Sequence, residues 1–249
     1  MRRALVLFLS LLLFGAARVP LEHRISETHR RLHFQAVDFN LDLREQLGQL
    51  GFVAALSGFR SLVADALFID AHVAWERTEW GRVLFLFRQI TTLQPRALLF
   101  WEMAAWHMAW NASTAAMNDP RQPSPALRLK AAREYFQLGK DFLERGIKNN
   151  PDRPELYEAL ARLYRDKLED HAHASEFFAK AAALAGARSY TKRFAAYELA
   201  QCPGHEPEAY AQLRALYERG ERERLPALVR YLKALEIHLN IPPDKRIPD

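Results

Sequence analysis

The feature that most constrains the fold is a spacing of residues that occurs twice in the chain. Phe87 and Ile90 stand eight and five residues before Pro95, and Leu143 and Gly146 stand at the same distances before Pro151. A large aromatic residue lies six positions after each proline, and small or apolar residues follow in the same phase: Trp101, Ala104, Ala105 and Met108 in one copy, and Tyr157, Leu160, Ala161 and Tyr164 in the other. Because proline cannot continue a helix, the pattern predicts repeated helix pairs that end at a proline.

Hydrophobic periodicity predicts helices along most of the chain after Gly58. Composition agrees with this prediction, since Ala, Leu, Arg and Glu favour helix and only 10 of the 249 residues are glycine. The predicted helical segments are 59–77, 80–93, 97–111, 127–148, 154–168, 172–185, 189–200, 206–219 and 224–239. We therefore expect an all-α fold with almost no sheet.

A third copy of the second helix contains Ala174, Phe178 and Ala181, a small, aromatic, small order that lets two helices approach closely around one ring. These spacings resemble the tetratricopeptide repeat, a helical hairpin of about 34 residues. The resemblance covers residues 58–187 well and 189–239 loosely, and it implies an α-solenoid of about three to four units. The segment Gly58, Phe59 and Arg60, followed by Ala64 and Asp65, also resembles the entry to the first repeat of uncharacterised bacterial repeat proteins that are membrane-anchored or exported.

The sequence departs from that family in two places. The two prolines are 56 residues apart, more than one repeat length, and the surplus falls in an insertion over residues 111–126. The third unit has Ala185, Gly186 and Ala187 where the family has its final proline. A generic helical bundle is therefore the alternative fold.

The first residues have the charge order of an export signal. Arg2 and Arg3 precede an apolar run over residues 4–17, which predicts a signal peptide or membrane anchor over 1–20. Cleavage after Ala17 and retention as an anchor are both open. We then expect a stalk or leading helix over 21–56, the repeat domain over 57–240 and a disordered tail over 241–249. Export places the repeat domain in the periplasm or outside an inner membrane, although the arginines after the apolar run favour the reverse orientation.

Little in the sequence indicates catalysis. The chain has one cysteine, a net charge of +5 with interspersed signs, and none of the common phosphate-loop, nucleophile-elbow or zinc-protease motifs. We expect no enzyme activity, no cofactor, no metal and no nucleic-acid binding. The alternative is a metal or small-molecule site, or an enzyme, that uses the region of His72, Glu76, Glu102 and His107.

Aromatic residues indicate where a partner would bind, because all five tryptophans lie between residues 75 and 110. The family resemblance implies that one face of each first helix lines a concave groove for a protein partner. The resemblance places these residues in that groove: Asp65, Phe68, His72, Trp75, Leu99, Glu102, Trp106, Trp110, Glu155, Glu158, Arg162 and Arg165, and less surely Tyr190, Arg193 and Tyr197. The function expected is a non-catalytic interaction scaffold, with a structural subunit of an envelope complex as another alternative. Packing of the same aromatic residues in the core is also open.

Overall fold

The computed structural model describes residues 58–248, and every regular element among them is helical. The prediction of an all-α fold is confirmed for this part of the chain. The chain divides into two compact units, Met1–Phe100 and Trp101–Asp249, with the boundary inside a helix. The predicted signal or anchor segment over 1–20 and the leading segment over 21–56 lie outside the described residues.

The described part of the first unit is a helical hairpin. Helix α1 spans Arg60–Glu76, helix α2 spans Trp80–Leu93, and Thr78 turns the chain between them with a φ of 57°. Small residues of α1, among them Ala64, Ala71 and Ala74, are buried against α2. Across the hairpin, Arg82 donates to both carboxylate oxygens of Asp70 at 2.9 Å.

Helix α3 spans Leu98–Trp106 and begins beyond Pro95, as the proline spacing predicts. It continues without a break through a π-helical turn, His107–Ala112, into helix α4, Ser113–Met117. The first half of the insertion predicted over 111–126 is therefore helix, and the connection that leads to the next helix begins at Asn118.

The rest of the second unit is a series of helices that pack mainly on their neighbours in sequence. They are α5 Pro125–Asn149, α6 Pro154–Leu163, α7 His171–Ala183, α8 Tyr190–Leu199, α9 Glu206–Tyr217 and α10 Pro226–His238, with a π-helical turn over Tyr164–Leu168 and 3₁₀ turns over Glu221–Glu223 and Pro243–Lys245. Proline at the first position of α5, α6 and α10 fits a site that needs no backbone N–H. Helix α8 also contacts α10, so one pair of alternate helices is adjacent.

Two glycines of α5 let the helices of one hairpin approach closely. A methyl group at Gly139 would lie 2.7 Å from the Cβ of Ala109 and 3.0 Å from the carbonyl oxygen of Ala105. A methyl group at Gly146 would lie 2.9 Å from Cγ of Trp101, which is 1% exposed. The sequence places both glycines at small-residue positions of the repeat, and the close contacts explain why no larger residue fits there.

The carboxyl-terminal residues 241–248 do not form the disordered tail that their prolines predicted. Ile247 is 5% exposed and belongs to the apolar cluster of α8, α9 and α10. Its backbone N–H donates to Oε1 of the buried Glu236 at 2.9 Å, and Arg214 donates to the carbonyl oxygen of Lys245. One apolar side chain and these hydrogen bonds fix the segment, although it is not a continuous helix.

Candidate functional site

A set of charged and polar residues lies on alternate helices of the second unit. We call this set the charged face. It consists of Glu102 on α3, of Glu155, Glu158 and Arg162 on α6, of Arg188 just before α8, and of Tyr190 at the start of α8. The charges of the other two glutamates and both arginines act on the carboxyl group of Glu102, and a hydrogen bond joins Tyr190 of α8 to Glu158 of α6. The charged face therefore contains four of the residues that the sequence assigned to the groove and also Tyr190, which it assigned less surely, and the structure adds Arg188.

Glu158 is at the centre of the charged face. Its side chain is 2% exposed. One carboxylate oxygen, Oε2, accepts from the hydroxyl of Tyr190 at 2.5 Å and lies 3.7 Å from the guanidinium of Arg162 one turn away. The hydroxyl oxygen of Tyr190 in turn accepts from Arg188 at 3.0 Å. The other oxygen, Oε1, is buried and has no hydrogen-bond partner in the described part of the chain.

Glu102 is half-buried on α3, and no hydrogen bond or ion pair joins it to another described residue. Burial raises the pKa of its carboxyl group above the ordinary value, because the charged form loses hydration. The positive charges of Arg162 and Arg188 act in the opposite direction, and the negative charges of Glu155 and Glu158 add to the increase in pKa. Glu102 is therefore a partly desolvated carboxylate without a hydrogen-bond or ion-pair partner among residues 58–248.

Trp106 stands one turn after Glu102 on the same helix, where residues four apart share a face. Its indole is 43% exposed and lies with its centroid 5.1 Å from the ring of His107. A large aromatic side chain exposed to this extent leaves apolar area available for contact with another molecule.

Trp110 does not share that exposed position. The ammonium group of Lys167 lies 5.4 Å from its ring centroid and 5.7 Å from that of Phe136, and Trp110 is half-buried. The sequence argument placed Trp106 and Trp110 on one face because α-helical residues four apart align. Trp110 lies in the π-helical turn, and it is less exposed than Trp106.

The remaining predicted residues of the second unit are largely engaged in packing. Arg165 donates to Asp166 at 2.6 Å, and its guanidinium lies 5.9 Å from the ring centroid of Phe178. Arg193 pairs with Glu223 at 2.6 Å. The ring of Tyr197 stacks on that of Tyr231 with 4.7 Å between the centroids, and burial raises the pKa of the Tyr197 hydroxyl group.

Five of the groove predictions belong to the first unit. Asp65 is exposed, and Leu99 is 56% exposed. His72 lies 3.5 Å from Glu76, and its ring centroid is 5.1 Å from that of the half-buried Trp75. Phe68 packs instead inside the unit, with its ring centroid 6.1 Å from that of Phe87 and 5.5 Å from that of Phe100.

The alternative metal or small-molecule site finds limited support in the geometry. His107 is 4% exposed, and its Nδ1 lies 3.1 Å from the side-chain amide of Asn111. Over residues 58–248, no group of three or more histidine, cysteine, aspartate or glutamate side chains is arranged to hold a metal ion. Two members of the predicted set, His72 and Glu76, do contact each other, as their spacing predicts.

Sequence reasoning missed Arg188 because it lies in the connection before α8, where no periodicity assigns it to a face. A signal was present in the adjacent Tyr190, which takes the early aromatic position of a first helix.

No family model matches the chain, and no curated protein matches it at a significant level. No helix between residues 58 and 248 is both long and apolar enough to cross a membrane.

Proposed function

We propose that this protein is a non-catalytic interaction scaffold, with a tetratricopeptide-like helical domain that binds a protein partner outside the cytoplasm. The observation that supports the proposal most is the charged face, which joins residues of α3, α6 and α8. These are the helices that the repeat spacing identifies as first helices, and in a solenoid of this type they would line one groove. An extended or helical peptide would lie across them.

The chemistry of the charged face suits recognition. A carboxylate and an exposed indole stand one turn apart on α3, and a buried carboxylate holds Tyr190 in place on the neighbouring part of the face. Large aromatic residues and partly desolvated charges supply much of the binding energy of protein interfaces. The side chains around them are fixed by hydrogen bonds, which lowers the entropy lost on binding.

Site-specific photo-crosslinking in cells tests the proposal. A photoreactive amino acid would replace Trp106 or Arg162 on the charged face, and Leu127, Lys180 or Ala211 on the second helices α5, α7 and α9 as matched exposed controls. We expect one defined protein to crosslink from the first two positions and not from the controls. Crosslinks from the control positions alone, or from none of the positions, would contradict a groove on the first helices.

The proposed location is tested by a separate fusion experiment. A carboxy-terminal alkaline phosphatase is active only outside the cytoplasm, so we expect an active fusion because Arg2 and Arg3 precede the apolar run. An inactive phosphatase together with an active cytoplasmic reporter at the same position would reverse the proposed orientation.

A further inference from the structure

The charges on the charged face are unequally paired. Arg153 lies 3.2 Å from Glu155, Arg162 faces Glu158, and Arg188 donates to the hydroxyl of Tyr190. Each arginine thus has a polar partner within the protein. Glu102 has none among the described residues, although it is half-buried. Burying a carboxylate without a hydrogen-bond donor is unfavourable, and Arg162 and Arg188 act on Glu102 through their charges without a hydrogen bond or ion pair to it, so its oxygens are left for a donor from outside.

A second carboxylate oxygen on this face also lacks a donor. Oε1 of Glu158 is buried and without a hydrogen-bond partner, while Oε2 of the same group receives the hydroxyl proton of Tyr190. The negative charge of Glu158 acts on Glu102, but less strongly than the positive charges of Arg162 and Arg188. A cation that binds at Glu102 would therefore be attracted mainly by Glu102 itself.

The exposed indole of Trp106 completes the environment for a long cationic side chain. Residues 102 and 106 are one turn apart within α3, which is regular α-helix over that interval. An aliphatic stem or guanidinium plane can lie on the indole while its charged end reaches the carboxylate. Cation–π attraction and a charge-assisted hydrogen bond then act on the same side chain.

We propose that Glu102 and Trp106 form a subsite for an arginine or lysine side chain of the bound protein partner. This inference rests on the proposed function and specifies the partner chemistry: a peptide segment with a basic residue at this subsite. The neighbouring Arg162 and Arg188 disfavour a second basic residue next to the first, so a polar or acidic residue would flank it.

Selection from a random dodecapeptide display library tests the inference without knowledge of the natural partner. The full chain would be immobilised as the wild type, as Glu102→Gln and as Glu134→Gln, the last a carboxylate exposed on α5 and remote in sequence. We expect the wild type and Glu134→Gln to enrich peptides with one basic residue at a fixed position, and Glu102→Gln to lose that preference. Replacing that basic residue with glutamine in a selected peptide should weaken its binding to the wild type about tenfold or more, and its binding to Glu102→Gln by much less.

The outcomes separate this inference from the proposed function. Enriched peptides without a basic residue, or a basic preference that survives in Glu102→Gln, would overturn the subsite and leave the binding groove intact. Failure of the wild type to enrich any peptide would contradict both proposals.

Discussion

The close approach of α5 to the preceding helical segment gives a quantitative prediction about stability. Gly139→Ala would place a methyl carbon 2.7 Å from the Cβ of Ala109, about 0.8 Å inside the usual contact distance for two carbon atoms. The other close atoms are the backbone oxygen of Ala105 and the backbone nitrogen of Ala109, so the helices themselves must move. Overpacking of this kind costs about 1 to 3 kcal/mol.

Alanine also favours a helix over glycine by about 1 kcal/mol, which opposes the steric cost. We expect the steric cost to exceed the gain, because backbone atoms cannot rotate away, and we expect a net loss of up to about 2 kcal/mol in the free energy of unfolding. For a domain of this size that lowers the thermal midpoint by up to about 8 °C. Urea unfolding followed by circular dichroism measures the change.

Two further variants separate packing from helix propensity. Gly81→Ala on α2 has open space around the added methyl group, so it should be neutral or stabilising by about 0.5 to 1 kcal/mol. Ala109→Gly removes the carbon nearest to Gly139, so the double variant should be less destabilised than the sum of its two single changes. A stabilised Gly139→Ala, or strictly additive effects in the double variant, would refute the close packing described above.

Three other predictions concern the charged face and its surroundings. Glu102→Gln should unfold at a higher temperature than the wild type at pH 7 and lose that advantage below about pH 4.5. Burial raises the pKa of Glu102 in the folded state, so the wild type loses stability as pH rises through this folded-state pKa. Equal thermal midpoints of the two proteins throughout a pH series would contradict this. Tyr190→Phe removes the donor to buried Glu158 and should cost about 1 to 3 kcal/mol in urea unfolding, whereas an unchanged midpoint would show that the hydrogen bond contributes little. Trp110→Ala should destabilise the protein by at least about 1 kcal/mol more than Trp106→Ala, because the indole of Trp110 is packed and that of Trp106 is exposed. Equal losses in the free energy of unfolding would contradict this difference in burial.

Much of the helical structure follows from local sequence. The bounds predicted for the segment 80–93 match those of α2, and Pro154 begins α6 as its restricted backbone predicts. Gly139 and Gly146 stand at small-residue positions of the repeat, and the contacts that require them depend on residues more than 25 positions away in the chain. Local periodicity therefore predicted the helices but not the distances between them.

The errors have identifiable physical causes. Trp110 is half-buried beside Lys167, and the regular spacing that grouped it with Trp106 did not predict this lower exposure. Prolines in the last residues suggested disorder, but the burial of Ile247 fixes this segment although it forms no continuous helix. Arg188 could not be assigned to the charged face because its position depends on a connection rather than on a periodic element.

The most direct test of the central claim compares two exposed apolar side chains of similar accessibility. Trp106 on the charged face is 43% exposed and Leu127 at the start of α5 is 49% exposed, so alanine at either position should change stability little. The measurement is the affinity of the partner captured by crosslinking for each purified variant, beside its unfolding midpoint. The account predicts that Trp106→Ala binds at least about tenfold more weakly while Leu127→Ala binds like the wild type, with both midpoints unchanged. Equal affinity of the two variants, or a binding loss confined to Leu127→Ala, would contradict a binding groove on the first helices.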